Sequence, residues 1–194
     1  MRLSLLSEVY GNAGVVDSGR YATTVNEFTD QLPALRPEVL REAAAAVAEV
    51  APRGFDKVVV EEDKGVPLGT AVSLVADVPL AVAREYTYEL PSHRVDYSSE
   101  YKGGVLYLNG VLAGDRVLIV DDTISTGGVL VALIRAVRDL GAEVTGVVAV
   151  VDKIQNGGVA RVLDETGVTI QTLLPIEIVD GRVVVVEDGV DAPL

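Results

Sequence analysis

The sequence contains no cysteine and no tryptophan, and it has only one histidine, one methionine and two phenylalanines. Without cysteine, disulfide bonds and thiolate metal sites are excluded. The single histidine, His93, has no second imidazole with which to bind a metal, and we interpret it as a surface residue. Aromatic residues make up 5% of the 194 residues, so Val, Ala and Leu must build the core, which suits a buried, largely parallel sheet flanked by helices.

Positive charge is also scarce. Lysine occurs four times, and 16 basic residues stand against 29 acidic ones, for a net charge of -13. Such a surface repels nucleic acid, whose recognition needs basic patches, so we expect no nucleic-acid partner. High salt would screen its self-repulsion. We interpret the chain as a salt-adapted, haloarchaeal protein; an ordinary acidic cytosolic protein is the alternative.

No apolar run is long enough to span a bilayer. The N-terminal stretch MRLSLLSEVYGN has too short an apolar patch for a signal peptide. We therefore expect no membrane partner and a cytoplasmic location. At 194 residues, the chain predicts a single domain with a sizeable core.

The most informative segment is VLIVDDTISTGG, residues 117–128. An apolar run ends at two adjacent acids, Asp121 and Asp122, a loop of small residues follows, and an amphipathic run begins at Val129. This order predicts a strand, an acidic pair, a loop and a helix. A small-residue loop at a helix N-terminus presents backbone N–H groups to an anion, typically a phosphate. Because carboxylates beside it suit a ligand with hydroxyls or a metal, a phosphorylated sugar fits the segment.

Elsewhere the chain alternates between predicted strands and helices, as in a βαβ fold. Helices are predicted at 37–50, 66–76 and 159–166, and strands at 57–61, 78–84, 105–109, 144–151 and 168–174. Residues 176–186 predict a hairpin with Asp180-Gly181 as its turn. The polar, tyrosine-rich segment 85–104 predicts a long loop that acts as a lid. Residues 1–30 receive no firm assignment.

VLIVDDTISTGG resembles the 5-phosphoribosyl-1-pyrophosphate (PRPP) motif of type I phosphoribosyltransferases. The resemblance implies an α/β fold: a mostly parallel sheet flanked by helices in one domain, 1–194, with a small hood from about 1–35 and 170–194 and a flexible lid hairpin at 85–104. In that family the paired acids hold the ribose hydroxyls and the loop surrounds the 5-phosphate. The implied PRPP contacts are Asp121, Asp122, Ser125, Thr126, Gly127, Gly128 and Val129. The resemblance also implies magnesium, which Asp122 or both aspartates would reach through water.

Lys64-Gly65 and Arg84 extend the resemblance to the pyrophosphate of PRPP. Lys64-Gly65 is similar to the family's short pyrophosphate loop, where glycine lets the backbone approach and the ammonium is a point charge. Arg84 is similar to a basic residue that faces pyrophosphate, although relatives often carry further lysines where this chain has Glu85 and Tyr86. An exposed turn and a surface arginine are the structural alternatives.

Two further residues concern the base. The segment Tyr97 to Tyr101 is similar to the Tyr-x-x-Glu-Tyr segment of adenine phosphoribosyltransferases. This resemblance makes Glu100 a candidate acid/base, in addition to the candidate catalytic residues Asp121 and Asp122. Lid closure would exclude water and raise the pKa of such a carboxyl group; a solvated charge on a loop is the alternative. Lys153 lies where 6-oxopurine enzymes place a lysine on the exocyclic oxygen, with a solvated lysine as the alternative.

Two loop positions depart from well-known relatives. Common hypoxanthine-guanine enzymes have an aspartate at the position of Ser125. At the position of Val129, relatives usually have a threonine, and the hydrogen bond from its hydroxyl to the phosphate would contribute about 1 kcal/mol. Over nearly its whole length the chain resembles archaeal purine phosphoribosyltransferases. This implies a homodimer that transfers phosphoribosyl from PRPP to hypoxanthine, guanine or adenine. The alternatives are a PRPP-sensing regulator without catalysis and a pyrimidine or xanthine phosphoribosyltransferase.

Overall fold

The computed structural model describes residues 3–17, 21–87, 92–98 and 103–186. Its helices are α1 (Ser4–Gly11), α2 (Glu27–Asp30), α3 (Pro37–Val50), α4 (Gly65–Ala76), α5 (Gly128–Asp139) and α6 (Gly158–Thr166), and residues Ile154–Asn156 form a 3-10 turn. Its strands are β1 (Gly14–Asp17), β2 (Ala22–Val25), β3 (Lys57–Glu61), β4 (Leu80–Arg84), β5 (His93–Ser98), β6 (Gly103–Leu108), β7 (Arg116–Ile124), β8 (Glu143–Lys153), β9 (Gln171–Val179) and β10 (Arg182–Val185).

In the described part of the chain, eight strands form one central sheet in the order β10-β9-β8-β7-β3-β4-β6-β5. The five neighbours from β9 to β4 run parallel, and β10 and the β5–β6 hairpin are antiparallel at the two edges. After β3 the chain builds β4 on one side, and it later returns to place β7 on the other. The strand order therefore reverses between β3 and β7, and open α/β sheets bind ligands at the carboxyl ends of strands at such a reversal.

Helices cover both faces of the sheet. On one face α5 and α6 pack through buried side chains such as Ile134, and on the other α1, α3 and α4 pack through side chains such as Leu68. Val59 and Val60, adjacent in β3, belong to opposite cores because successive side chains of a strand alternate. A strand buried on both faces needs a continuous apolar run, which explains the sequence KVVVE.

Several predicted elements form at or close to their predicted bounds. Pro37 occupies the first turn of α3 and β3 covers the predicted residues 57–61. The predicted hairpin also forms, with Asp180 and Gly181 at φ angles of 50° and 72°, as a type I′ turn requires. The predicted mostly parallel sheet with helices on both faces is confirmed. Across the described ranges, no helix has both the length and the apolar character that crossing a membrane requires.

Three local predictions differ from the structure. β9 begins at Gln171, later than predicted, and continues to Val179. β7 continues past the acidic pair to Ile124, because its last residues still pair with β8, so the acids lie inside the strand. Part of the predicted lid loop, His93–Ser98, is a strand paired with β6, while 88–91 and 99–102 lie outside the described residues.

Candidate active site

A cleft opens at the carboxyl ends of β3 and β7, where the strand order reverses. It encloses about 870 Å³, including open solvent at its mouth. The lining residues come from the strand ends, the loops that follow them, the N-terminal segment and the β5–β6 hairpin. They are Thr24, Thr29, Glu61, Asp63, Lys64, Tyr97, residues 121–130 and Lys153.

The small-residue loop 125–127 joins β7 to α5 at the floor of the cleft. Gly127 adopts a left-handed conformation, with φ of 74°, directly before the helix begins at Gly128. A Cβ atom at Gly127 would lie 2.6 Å from the carbonyl oxygen of Gly158, so both the turn and the close approach require glycine. The first backbone N–H groups of α5 lack intrahelical acceptors, and this end of the helix therefore attracts an anion.

The paired acids Asp121 and Asp122 lie beside this loop and face Gly65 at the start of α4. A Cβ atom at Gly65 would be 3.9 Å from Oδ1 of each aspartate, so glycine brings the backbone close to both carboxylates. Burial and the charges of Asp122 and Glu61 raise the pKa of Asp121 well above its usual range. Burial raises the pKa of Asp122 to about 6, although Thr123 and Lys64 oppose the shift.

Glu61, the last residue of β3, is a member of the site that the sequence analysis missed. It lines the cleft, and burial, followed by the carboxylates of Asp122 and Asp63, raises its pKa to about 8. A signal was available, because Glu61 ends a predicted parallel strand and so lies at the same edge as Asp121. Among the described residues, four acids and two lysines line the cleft, so a polyanionic ligand would need a cation beside it.

Lys64 lies in the cleft, as the sequence predicted for the pyrophosphate loop. Its Nζ atom is 2.7 Å from Oδ1 of Asp30, the last residue of α2. Burial acts to raise the pKa of Asp30, but hydrogen bonds from Lys64 and Thr29 outweigh it, and the pKa is lowered. The Lys64 side chain is 29% exposed, and its role at the pyrophosphate stays a prediction.

Arg84 does not join these residues. Its guanidinium lies 3.7 Å from the carboxylate of Glu62 and 5.6 Å from the ring centre of Tyr86, and it is not among the residues that line the cleft. The side chain is 38% exposed. The structure thus places Arg84 at the predicted strand end but turns its charge toward a neighbouring acid.

Lys153 ends β8 and lines the cleft. Only 2% of the residue is exposed, so the alternative of a solvated lysine is wrong. Glu100, the predicted acid/base, lies outside the described residues, and its role stays a prediction. Tyr97 of the same segment is described: it lines the cleft, and its hydroxyl donates a 2.9 Å hydrogen bond to Glu85.

The N-terminal segment, which had no assignment from sequence, supplies the remaining wall of the cleft through Thr24 and Thr29. The turn that presents Thr29 is capped by Asn26, whose Oδ1 accepts hydrogen bonds from the N–H groups of Phe28 and Thr29 at 2.8 and 3.2 Å. The buried Tyr10 hydroxyl lies 3.3 Å from Oγ1 of Thr123. The Tyr10 and Thr123 hydroxyls are 113 positions apart in the chain, so no local sequence pattern indicates their contact.

The residues present fit magnesium held mainly by a ligand. Among the described residues, no three acidic or histidine side chains are grouped closely enough to hold a metal by themselves. Magnesium, however, is commonly bound by one or two carboxylates together with substrate oxygens and water. Asp121 and Asp122, beside the anion-attracting end of α5, provide such carboxylates.

The fold and the cleft are those of an open α/β protein that binds an anionic ligand at the carboxyl ends of its parallel strands. The family model of the phosphoribosyl transferase domain matches residues 29–173, so the chain belongs to the phosphoribosyltransferase family. It is 39% identical to the hypoxanthine/guanine phosphoribosyltransferase of Methanocella arvoryzae, over 91% of each chain. It is 36% identical to the enzyme of the same name from Methanothermococcus okinawensis, over 94% of this chain and 100% of that one.

Solved structures agree with this assignment. The fold is similar to that of adenine phosphoribosyltransferase from Rhodothermus marinus, with a TM-score of 0.72 and 28% identity over 89% of this chain and 97% of that one. The predicted type I phosphoribosyltransferase fold is therefore confirmed. The names of these relatives also agree with the prediction of a purine phosphoribosyltransferase.

Proposed function

We propose that this protein is a purine salvage phosphoribosyltransferase that converts PRPP and a purine base to the nucleoside 5-monophosphate and pyrophosphate. One observation carries the proposal: an anion-attracting helix end, two adjacent carboxylates and Lys64 line one cleft at the sheet's reversal point, and Gly65 lies next to both carboxylates. A phosphate, ribose hydroxyls and a pyrophosphate need these three features in this order.

The chain's own residues account for PRPP binding. The backbone N–H groups of the loop and of Gly128 and Val129 bind the 5-phosphate at the start of α5. The carboxylates of Asp121 and Asp122 accept hydrogen bonds from the ribose hydroxyls. Gly65 admits the pyrophosphate close to the backbone, and Lys64 supplies its charge.

In the reaction, a purine nitrogen forms a bond to C1 of the ribose as the bond from C1 to the pyrophosphate oxygen breaks. The electron pair leaves with pyrophosphate, and the purine nitrogen loses its proton. Positive charge develops at C1 during this exchange, and Asp121 and Asp122 are fixed beside the ribose to stabilise it. Glu100 is proposed to receive the purine proton when the lid segment closes and excludes water.

Asp121 and Asp122 are the residues that would hold magnesium, through water. When bound, magnesium neutralises pyrophosphate charge and orients the leaving group. The acidic lining of the cleft supports this requirement, since the four carboxyl groups that the described part of the chain provides there, against two lysines, would otherwise repel PRPP.

The buried Lys153 favours a 6-oxopurine over adenine. An ammonium group only donates hydrogen bonds, so it suits the exocyclic oxygen of hypoxanthine or guanine and opposes the exocyclic amino group of adenine. The hypoxanthine/guanine names of the curated relatives support the same base. We infer hypoxanthine and guanine as the preferred substrates.

Three finer properties complete the proposal. A salt-adapted enzyme is supported by the net charge of -13, and a cytoplasmic location by the lack of cysteine. A homodimer is supported by apolar surface at the end of α4, where Leu74 and Val75 are 78% and 58% exposed. The role of the N-terminal segment as a hood is supported by Thr24 and Thr29 in the cleft wall.

Pyrophosphate release tests the function directly. The protein would be incubated with PRPP, magnesium and one base at a time (hypoxanthine, guanine, xanthine, adenine and uracil), at low and at molar salt. We expect release with hypoxanthine and guanine. Release with uracil or xanthine alone would establish one of the other transferases, and PRPP binding without release from any base would support the regulatory protein.

A further inference from the structure

The small-residue loop 125–127, here called the phosphate loop, contacts residues 156–161 at each of its three positions. The Nδ2 atom of Asn156 donates a 2.7 Å hydrogen bond to the hydroxyl oxygen of Ser125. The guanidinium of Arg161 donates a 3.2 Å hydrogen bond to the carbonyl oxygen of Thr126. Gly127 in turn packs against the backbone of Gly158.

This packing leaves no room for a side chain on either partner. A Cβ atom at Gly158 would collide with the carbonyl oxygen of Ser125 and lie 2.9 Å from the nitrogen of Gly127. Gly158 therefore serves as a flat support beneath the loop. The 3-10 turn and the first turns of α6 thus hold the loop by two side-chain hydrogen bonds and one backbone contact.

The supporting segment is itself anchored. Nε of Arg161 donates to Glu165 at 2.7 Å, and the same carboxylate accepts a 2.9 Å hydrogen bond from Arg135 of α5. At its other end, the segment begins at Lys153, which is buried at the base-binding side of the cleft. Both ends are therefore fixed to elements that form the site.

We propose that Asn156 and Arg161, with Gly158 between them, are positioning residues that hold the phosphate loop in its ligand-binding conformation. This inference rests on the proposed function, because it assigns the 5-phosphate of PRPP to that loop. A loop held before binding loses less conformational entropy when the phosphate arrives. Removing the support therefore weakens PRPP binding without changing the groups that perform the reaction.

The test compares Asn156→Ala and Arg161→Ala with Arg138→Ala. Arg138 is a matched control because it donates a 2.8 Å hydrogen bond to the carbonyl oxygen of Thr166, at the far end of α6. PRPP binding with magnesium would be measured by calorimetry, and kcat and KM by pyrophosphate release. We expect Asn156→Ala and Arg161→Ala each to raise the Kd and KM for PRPP by about three- to tenfold and to leave kcat unchanged. Arg138→Ala should behave like the wild type.

A double-mutant cycle distinguishes positioning from general destabilisation. Ser125→Ala and Asn156→Ala should be non-additive in PRPP affinity, since each removes the same hydrogen bond. Thermal denaturation would confirm that every variant is folded. The positioning role would be overturned if Asn156→Ala and Arg161→Ala lowered kcat or stability but left the KM for PRPP unchanged. Full additivity of Ser125→Ala and Asn156→Ala in PRPP affinity would overturn it too. A wild-type protein that binds no PRPP would overturn the proposed function, and this inference with it.

Discussion

The ammonium of Lys64 and the carboxylate of Asp30 form a 2.7 Å ion pair across the mouth of the cleft. This pair joins the N-terminal segment to the pyrophosphate turn, and it holds the lysine at the place where the leaving group is expected. Asp30 also accepts hydrogen bonds from the backbone of Asn26 and the hydroxyl of Thr29. The same residues thus shape the cleft wall and set its charge.

Replacing Lys64 tests the pyrophosphate turn. We expect Lys64→Gln to raise the KM for PRPP by about tenfold, because a charge-assisted contact of about 1.5 kcal/mol is lost. Lys57→Gln is a matched control, since Lys57 pairs with Asp115 and is not part of the cleft lining. Equal KM values for the two variants, measured by steady-state pyrophosphate release, would exclude Lys64 from PRPP binding.

The acidic pair is expected to be essential for turnover. Asp121→Asn combined with Asp122→Asn should abolish pyrophosphate release, because both ribose contacts and the charge that stabilises C1 are removed. Asp139→Asn, an exposed acid at the end of α5, should have wild-type activity. Activity of the double variant at the wild-type level would refute the role of the pair.

The half-buried Glu61 predicts a pH-dependent stability of the protein without magnesium. The folded-state pKa of Glu61 is raised to about 8, so between its ordinary value and pH 8 the folded state binds more protons than the unfolded state. Stability therefore falls as pH rises through this window. We expect Glu61→Gln to raise Tm at pH 8 by roughly 2–4 °C, the shift that about 1 kcal/mol produces in a domain of this size.

Thermal denaturation between pH 5 and pH 9 would measure this effect. The difference in Tm between Glu61→Gln and the wild type should shrink toward pH 5, where the wild-type carboxyl is already protonated. Glu38→Gln, on the exposed first turn of α3, serves as the control. A difference that is constant with pH would show that Glu61 is not the group responsible.

Lys153 should determine the choice of base. We expect Lys153→Met to lower kcat/KM for hypoxanthine and guanine by about tenfold or more, because a donor to the exocyclic oxygen is lost. The KM for PRPP should change little. Assays with hypoxanthine and adenine side by side would measure the ratio, and an unchanged ratio would show that Lys153 does not contact the base.

The salt response tests the interpretation of the acidic surface. The chain has 29 acidic residues against 16 basic ones, and molar KCl screens the repulsion among the excess negative charges. We therefore expect Tm to rise with KCl concentration. Thermal denaturation in 0.1 to 3 M KCl is the measurement. A fall in Tm over this range would refute salt adaptation.

Local sequence patterns are sufficient to predict the small-residue loop 125–127 and several of the strands and helices. The apolar run before Asp121 and the small residues 125–128 specify a strand, a turn with positive φ and a helix start through interactions between near neighbours. Strand β3 and helix α3 were predictable for the same reason, since burial on two faces and a proline in the first turn leave local patterns.

Which side chains contact one another in the site depends on the tertiary structure. The order of the strands places Glu61 beside Asp121 and buries Lys153, and the pairing of Arg84 with Glu62 turns that arginine away from the cleft. The hydrogen bond from Asn156 to Ser125 spans 31 residues. Contacts of this kind depend on how whole helices and strands pack, which the spacing of residues along the chain does not specify.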